Sequence, residues 1–195
     1  MPRKNRCASE SGIYHFINRG VIRRKLFHSE EDYRYYLKLM QEYSQLLGVQ
    51  IYHYCLMDNH THILLKAPEI ERLSHFGHFL QRRYAYYYCK TYSWSEQVFR
   101  KRYLSIPVDK DSYLMECGRY IERNPVRAKL VEDPIDYGYS SYAFYSIGQE
   151  NSLITPNPLY GEMGVSHIER MAAYREYVRV SRVYDNIVDK ALVPF

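Results

Sequence analysis

Apolar residues recur with two different periods along the chain, and each period predicts a different kind of element. Between Ser29 and Gly48, apolar side chains such as Tyr36, Leu37 and Met40 recur at helical spacing. Ser29 is a favourable N-cap and Gly48 a favourable terminator, so this segment predicts a helix. The same reasoning predicts further helices at 70–90 and 111–124 and strands at 13–20, 49–57, 60–66 and 103–108.

The order of these elements predicts the fold. A strand, a helix, two strands, a helix, a strand and one more helix make a ferredoxin-like α/β sandwich, an α+β fold. It has an antiparallel sheet with helices on one face and an extra C-terminal helix. The extra helix is expected to end near Asn124, because a proline disfavours helical backbone at the residue before it. We expect a domain over 1–145 and a C-terminal appendage over 146–195, a loop followed by a helix from Ser166 to Arg182.

Length and composition narrow the class of protein. The chain has 195 residues, of which 46% are apolar, and this is enough for one compact core. No apolar run is long enough for a transmembrane helix, and the start MPRKNRCASE lacks the apolar stretch of a secretory signal. We therefore expect a cytoplasmic protein with no membrane partner. The four cysteines are scattered, so neither a disulfide framework nor a cysteine-rich zinc site is expected.

Charge and aromatic content favour nucleic acid as a partner. The formal net charge is +5, and the chain contains 23 tyrosines. Clustered cations suit phosphates and flat aromatic rings suit unstacked bases, which is typical of proteins that bind single strands. Solvated charges and aromatic core packing are the simpler alternative. The candidate nucleic-acid contacts are Arg19, Arg23, Arg24, Arg82, Arg83, Arg102 and Arg123.

The stretch MDNHTHILLK contains two histidines, His60 and His62, at the start of a predicted strand. Alternate residues of a strand project from the same face, so both imidazoles can approach one ion. Imidazole nitrogen suits several divalent metals, and two ligands leave coordination positions open for substrate oxygens. The alternative is that they are ordinary polar residues at the mouth of a strand.

The third predicted helix contains Tyr120 and Asn124, which are four residues apart and share one helical face. A tyrosine with an asparagine one turn away can supply a nucleophile and an oxygen ligand for a metal held by the two histidines. The alternative is a tyrosine that packs in the core and an asparagine that ends the helix before Pro125.

Three separated segments together resemble one known family. The segments MDNHTHILL, VFRKRYLSIPVDKDSYL and GRYIERNPVRAKLVEDPIDYGYSSY are similar to motifs of the REP-associated tyrosine transposases (RAYT), which are HUH single-tyrosine (IS200-like) transposases. The similarity covers roughly residues 10–145, in order. One departure is Thr61, where the family has a bulky apolar residue between the histidines; on a strand this residue faces away from the histidines.

The resemblance implies a mechanism and a substrate. It implies that His60, His62 and Asn124 hold a divalent ion, Mg²⁺ or Mn²⁺, and that Tyr120 is the nucleophile. The implied activity is cleavage and strand transfer of single-stranded or hairpin (REP-like) DNA through a 5′-phosphotyrosine, by a monomer or a homodimer. Two other functions stay open: a domesticated hairpin-DNA-binding protein with little or no catalysis, and a metal-dependent hydrolase without covalent attachment.

Overall fold

A computed structural model describes residues 8–180, except for the side chain of Arg23. Four strands of this part of the chain form one antiparallel sheet in the order β2-β3-β1-β4. The strands are β1 (Ile13–Arg19), β2 (Gln50–Met57), β3 (His60–Lys66) and β4 (Leu104–Pro107). This order confirms the predicted ferredoxin-like sheet, and β2 and β3 form the predicted hairpin.

Helices cover both faces of the sheet. The helices are α1 (Glu30–Leu47), α2 (Ile70–Thr91), α3 (Asp111–Arg127), α4 (Tyr142–Ile147) and α5 (His167–Arg179). Helices α1 and α2 pack against each other and share the larger apolar core on one face. Helix α3, the extra helix that contains Tyr120, packs on β2 and β3 across a second, smaller core on the opposite face.

The period of two along the strands explains why there are two cores. In β3, Ile63 and Leu65 are buried in the core beneath α1 and α2, whereas Leu64 is buried in the core beneath α3. Thr61 is on the α1 side, where its hydroxyl lies 3.3 Å from the Tyr36 hydroxyl. The polar side chain between the two histidines therefore has its own buried partner, on the face away from them.

Helix α1 begins and ends as its sequence predicts. Ser29 is its N-cap, and the Asp32 carboxylate accepts a hydrogen bond from the Ser29 backbone N–H at 3.1 Å. Gly48 follows the helix with φ of 65°, in the left-handed region that glycine adopts without strain. These signals lie next to each other in the sequence, which makes this element predictable from it.

The predicted end of α3 near Asn124 is wrong, because the helix continues through Pro125 to Arg127. Proline has no N–H, so it cannot bond to the carbonyl of Ile121 one turn earlier. The Asn124 side-chain amide donates to that carbonyl at 3.3 Å and to the Tyr120 carbonyl at 2.9 Å. A side chain thus replaces the missing backbone donor, and the last turn of the helix forms.

The segment after α3 lies along the exposed edge of the sheet. The backbone N–H of Ser141 bonds to the Tyr54 carbonyl at 2.9 Å, and that of Thr155 to the Ile51 carbonyl at 2.8 Å. Edge strand β2 is therefore covered, which protects it from pairing with other chains. Helix α5 then packs against α3 and α4. It begins after the predicted Ser166 but ends at Arg179, before the predicted end at Arg182, because the backbone of Val180 is already extended.

Within residues 8–180 no helix is both long and apolar enough to cross a membrane. Three of the four cysteines, Cys55, Cys89 and Cys117, are free thiols. Cys7 lies outside the described residues.

A fully buried carboxyl group ties α3 to the rest of the protein. Glu122 accepts hydrogen bonds from His53 Nδ1 at 2.9 Å, from the Ser141 hydroxyl at 2.6 Å and from the Tyr174 hydroxyl at 2.6 Å. These partners belong to β2, to the N-cap of α4 and to α5. Helix α3 approaches β2 closely at Gly118, where a Cβ atom would lie 2.8 Å from His53 Nε2.

We expect Glu122→Leu to destabilise the protein strongly, because it leaves three buried polar groups without their acceptor. Removing one member of such a buried network typically costs about 3–5 kcal/mol. Urea unfolding followed by circular dichroism measures this loss. The control is Glu31→Leu, whose side chain is 70% exposed and which should change stability by less than about 0.5 kcal/mol. Equal stabilities of the two variants would contradict this role of Glu122.

Candidate active site

The two histidines of β3 lie on the sheet face that α3 covers. His62 is buried and His60 is partly buried, and their ring centroids are 5.0 Å apart with the rings nearly perpendicular. His60 pairs with Arg19 in the register of β1 and β3. The pair therefore lies at the end of the sheet where β1 ends and β3 begins, as the alternation along the strand predicts.

Their surroundings keep both imidazoles neutral. Burial, with the positive charge of Arg19 as a smaller cause, lowers the pKa of His60 to about 4. Burial is also the main reason why the pKa of His62 is held well below its ordinary value, with nearby cationic side chains adding to the effect. A neutral imidazole has a lone pair for a metal, whereas a protonated one has none.

The donor set fits a divalent ion. His60 Nδ1 lies 2.6 Å from the Asn59 side-chain oxygen, so the Nδ1 proton is donated there and Nε2 keeps its lone pair. Within residues 8–180 no group of three or more His, Cys, Asp or Glu side chains has the arrangement of a metal site. A site built on His60 and His62 would therefore be open and would take further oxygen ligands, from an amide or from a phosphate.

Helix α3 places Tyr120 beside these histidines. Its ring meets His62 edge to face, with centroids 5.6 Å apart, and the Arg127 guanidinium lies 5.0 Å from the centre of the Tyr120 ring. Burial raises the pKa of Tyr120 above its ordinary value, and the charge of Arg127 opposes this rise. The Tyr120 ring is thus buried between a neutral imidazole and a cation.

Asn124 lies one turn beyond Tyr120 on the same helix. Its side-chain nitrogen is held by the carbonyls of Tyr120 and Ile121. The amide is therefore fixed relative to the tyrosine, and its oxygen is the atom left for another ligand. The sequence-predicted set of His60, His62 and Tyr120 is brought together by the fold, with Asn124 adjacent on α3.

The predicted DNA-contacting arginines lie in several places. Arg19 is beside His60, and the Arg24 guanidinium stacks on the Trp94 ring at 3.6 Å. Arg82 and Arg102 line one open cleft between α2 and the segment before β4. Arg83 is exposed on α2. The side chain of Arg23 lies outside the described part of the structure.

Arg123 has an intramolecular role in the structure. Its guanidinium donates to the carbonyls of Val178 at 2.6 Å and Arg179 at 3.0 Å, at the end of α5. Arg119, one turn earlier on α3, donates to the carbonyls of Tyr177 and Val180. Two arginines of α3 thus satisfy the last carbonyls of α5, which a helix leaves without partners.

Two neighbours of the site were not singled out by the sequence reasoning. Arg127 lies seven residues after Tyr120, a spacing that places both on one helical face, so its proximity could have been read from the sequence. His15 of β1 is fully buried, and its Nε2 lies 2.8 Å from His62 Nδ1. Its contact depends on the pairing of two strands that are distant in the sequence.

Comparison with known proteins identifies the family. The sequence profile described as "Transposase IS200 like" matches residues 8–124, which is more than half of the chain and includes His60, His62, Tyr120 and Asn124. The chain belongs to the IS200-like transposase family. No curated protein matches this transposase-family chain by sequence.

One solved structure agrees with this membership in its fold, and a second is a weaker match. A REP-associated tyrosine transposase bound to a REP hairpin has a TM-score of 0.63 at 14% identity, and the match covers 80% of this chain and 93% of that chain. A candidate transposase from Deinococcus radiodurans R1 has a TM-score of 0.43 at 19% identity, over 63% of this chain and 97% of that one. The resemblance read from the sequence motifs is confirmed in family and in fold.

If Tyr120 is the nucleophile that the resemblance implies, Arg127→Gln should slow DNA cleavage and move its pH dependence toward more alkaline values. Without the guanidinium, the opposing charge is lost and the Tyr120 hydroxyl ionises less readily; below its pKa, each unit of increase lowers the ionised fraction about tenfold. Single-turnover cleavage at saturating DNA, measured across pH, tests this. Arg127→Lys keeps the charge and is the matched control. An Arg127→Gln profile that superposes on wild type would rule out this effect.

Proposed function

We propose that the protein is a metal-dependent endonuclease and strand transferase for single-stranded or hairpin DNA, and that it acts through a 5′-phosphotyrosine on Tyr120. The observation that carries this proposal is the edge-to-face contact between Tyr120 and His62, at 5.6 Å between ring centroids. A core tyrosine needs no metal-binding side chain beside it, whereas a nucleophile that acts on a metal-bound phosphate must lie near the ligands of that metal.

The residues of the chain have separable tasks in this reaction. The Tyr120 oxygen attacks the scissile phosphorus as a phenolate, so a Tyr–O–P bond forms and the bond to the 3′ oxygen breaks. The 3′ oxygen takes up a proton and leaves as a hydroxyl. Because burial raises the pKa of Tyr120, the phenolate depends on nearby positive charge, which Arg127 supplies. The phosphotyrosine keeps the bond energy, so a free 3′-hydroxyl can later reverse the step.

His60, His62 and the Asn124 oxygen would hold the divalent ion. When bound, Mg²⁺ or Mn²⁺ polarises the phosphate and offsets the negative charge that develops during attack. Neutral imidazoles are better ligands for Mn²⁺ than for Mg²⁺, which prefers oxygen. With two nitrogen ligands and one oxygen ligand from the protein, the site should therefore bind Mn²⁺ in preference to Mg²⁺ at equal concentration.

The proposed substrate follows from charge and from the structural relative. Arg19 lies beside the histidines, and Arg82 and Arg102 line a cleft on α2, so cations are present at the site and beyond it. The relative with a TM-score of 0.63 is bound to a REP hairpin. We propose that hairpin DNA with single-stranded flanks is the ligand of this chain too, and that the protein acts on it in the cytoplasm. The proposed phosphate contacts are Arg19, Arg24, Arg82, Arg83 and Arg102.

A second function is a hairpin-DNA-binding protein with little catalysis. It is favoured by the burial of Tyr120, which raises the pKa of its hydroxyl and so disfavours the phenolate that the reaction needs. Such a protein would bind hairpins tightly and form no covalent product. The two functions therefore separate in one gel assay.

We expect Tyr120→Phe to abolish the covalent adduct while DNA affinity and stability stay close to wild type, since only the hydroxyl is lost. The wild type is incubated with Mn²⁺ and a labelled single-stranded oligonucleotide, and the adduct is detected on a denaturing gel and mapped by mass spectrometry to the peptide that contains Tyr120. Tyr113→Phe is the matched control, because Tyr113 is a half-buried tyrosine of the same helix. An adduct in Tyr120→Phe, or tight binding without any adduct in wild type, would overturn the proposal.

A further inference from the structure

His15 lies behind the histidine pair in the middle of the sheet. It belongs to β1, and the strand register pairs Ile17 with His62, so His15 is a diagonal neighbour of His62 on the same face. Its Nε2 lies 2.8 Å from His62 Nδ1, and the two rings stack with centroids 5.0 Å apart at an angle of 28°. This is a direct hydrogen bond between two fully buried imidazoles.

One proton is shared across this contact, and its position decides what His62 can do. If His62 carries the proton on Nδ1, it donates to His15 Nε2, and His62 Nε2 keeps its lone pair for a metal. If His15 Nε2 carries the proton, His62 must hold its own proton on Nε2, and this nitrogen cannot bind a metal. A ligand at His62 therefore requires His15 to be the acceptor.

The other nitrogen of His15 shows that packing alone does not explain an imidazole here. His15 Nδ1 is buried, and within residues 8–180 no group hydrogen-bonds to it. An apolar side chain of similar size would fill the same space without leaving a buried polar atom unpaired. The ring also meets Tyr120 edge to face at 6.1 Å between centroids, but among its polar contacts the Nε2 contact with His62 is what an apolar ring would lack.

We propose that His15 is a positioning residue, which accepts the Nδ1 proton of His62 and so holds His62 with Nε2 free to bind the divalent ion. The inference rests on the proposed function, since it assigns His15 a task only if His62 is a metal ligand. His15 itself binds neither metal nor DNA. Its role corresponds to that of the hydrogen-bonded partners that orient ligating histidines in metal sites generally.

The test compares Mn²⁺ binding by wild type, His15→Gln and His15→Met, followed by electron paramagnetic resonance of the free ion. Glutamine and methionine have similar length and flexibility, but only the glutamine side chain has an oxygen that can accept the His62 proton. We expect the methionine variant to bind Mn²⁺ about ten- to a hundredfold more weakly than wild type, and the glutamine variant to recover most of that loss. His75→Gln, at an exposed histidine of α2, is the control.

Two further readouts separate positioning from folding. Metal-free binding of hairpin DNA should be alike in the glutamine and methionine variants, because it depends on the fold and not on the tautomer of His62. Long-range proton–nitrogen NMR of the metal-free wild type should show His62 protonated on Nδ1, and this readout needs no variant. His62 protonated on Nε2, or equal Mn²⁺ affinities for glutamine and methionine, would overturn the inference. If the wild type itself binds no Mn²⁺, the proposed function fails instead, and the inference with it.

Discussion

The hydrogen bonds of one buried carboxyl group, that of Glu122, hold the helix on which the site depends. They reach β2, the start of α4 and α5, and they act two residues away from Tyr120 on the opposite side of α3. Together with Arg119 and Arg123, whose guanidinium groups cap the end of α5, they fix α3 to elements other than β3, the strand of His60 and His62. The position of the tyrosine is thus set by tertiary contacts of its own chain.

The chemistry of the site follows from where this helix rests. Because α3 packs on the sheet, His62 and Tyr120 are both buried, and burial has opposite consequences for the two groups. It keeps the imidazole neutral, which favours metal binding, and it makes the phenol harder to ionise. Arg127 opposes the second effect without restoring a proton to the histidine, because its positive charge disfavours both a protonated imidazole and a neutral phenol.

Much of this architecture is local and was predictable from the sequence. The caps of α1, the turn between β2 and β3 and the alternation of His60 and His62 are all set by neighbouring residues. The end of α3 was not predictable from the proline rule, because the Asn124 side chain supplies the hydrogen bond that Pro125 lacks. The contacts of Arg123 and His15 were not predictable either, since each depends on an element distant in the sequence. Strand pairing and helix packing determine what these two residues contact. Composition alone predicts a DNA contact for Arg123, whereas in the structure its guanidinium binds the end of α5.

We propose that the end of the sheet and α3 together form one metal-dependent site. Crystals of the protein with Mn²⁺ and a single-stranded oligonucleotide, measured at a wavelength where manganese scatters anomalously, test it most directly. We expect an anomalous peak within coordination distance of Nε2 of both His60 and His62, with a phosphate oxygen on the ion and the Tyr120 hydroxyl facing that phosphorus. Manganese bound at other residues, with both histidine nitrogens unligated, would contradict it.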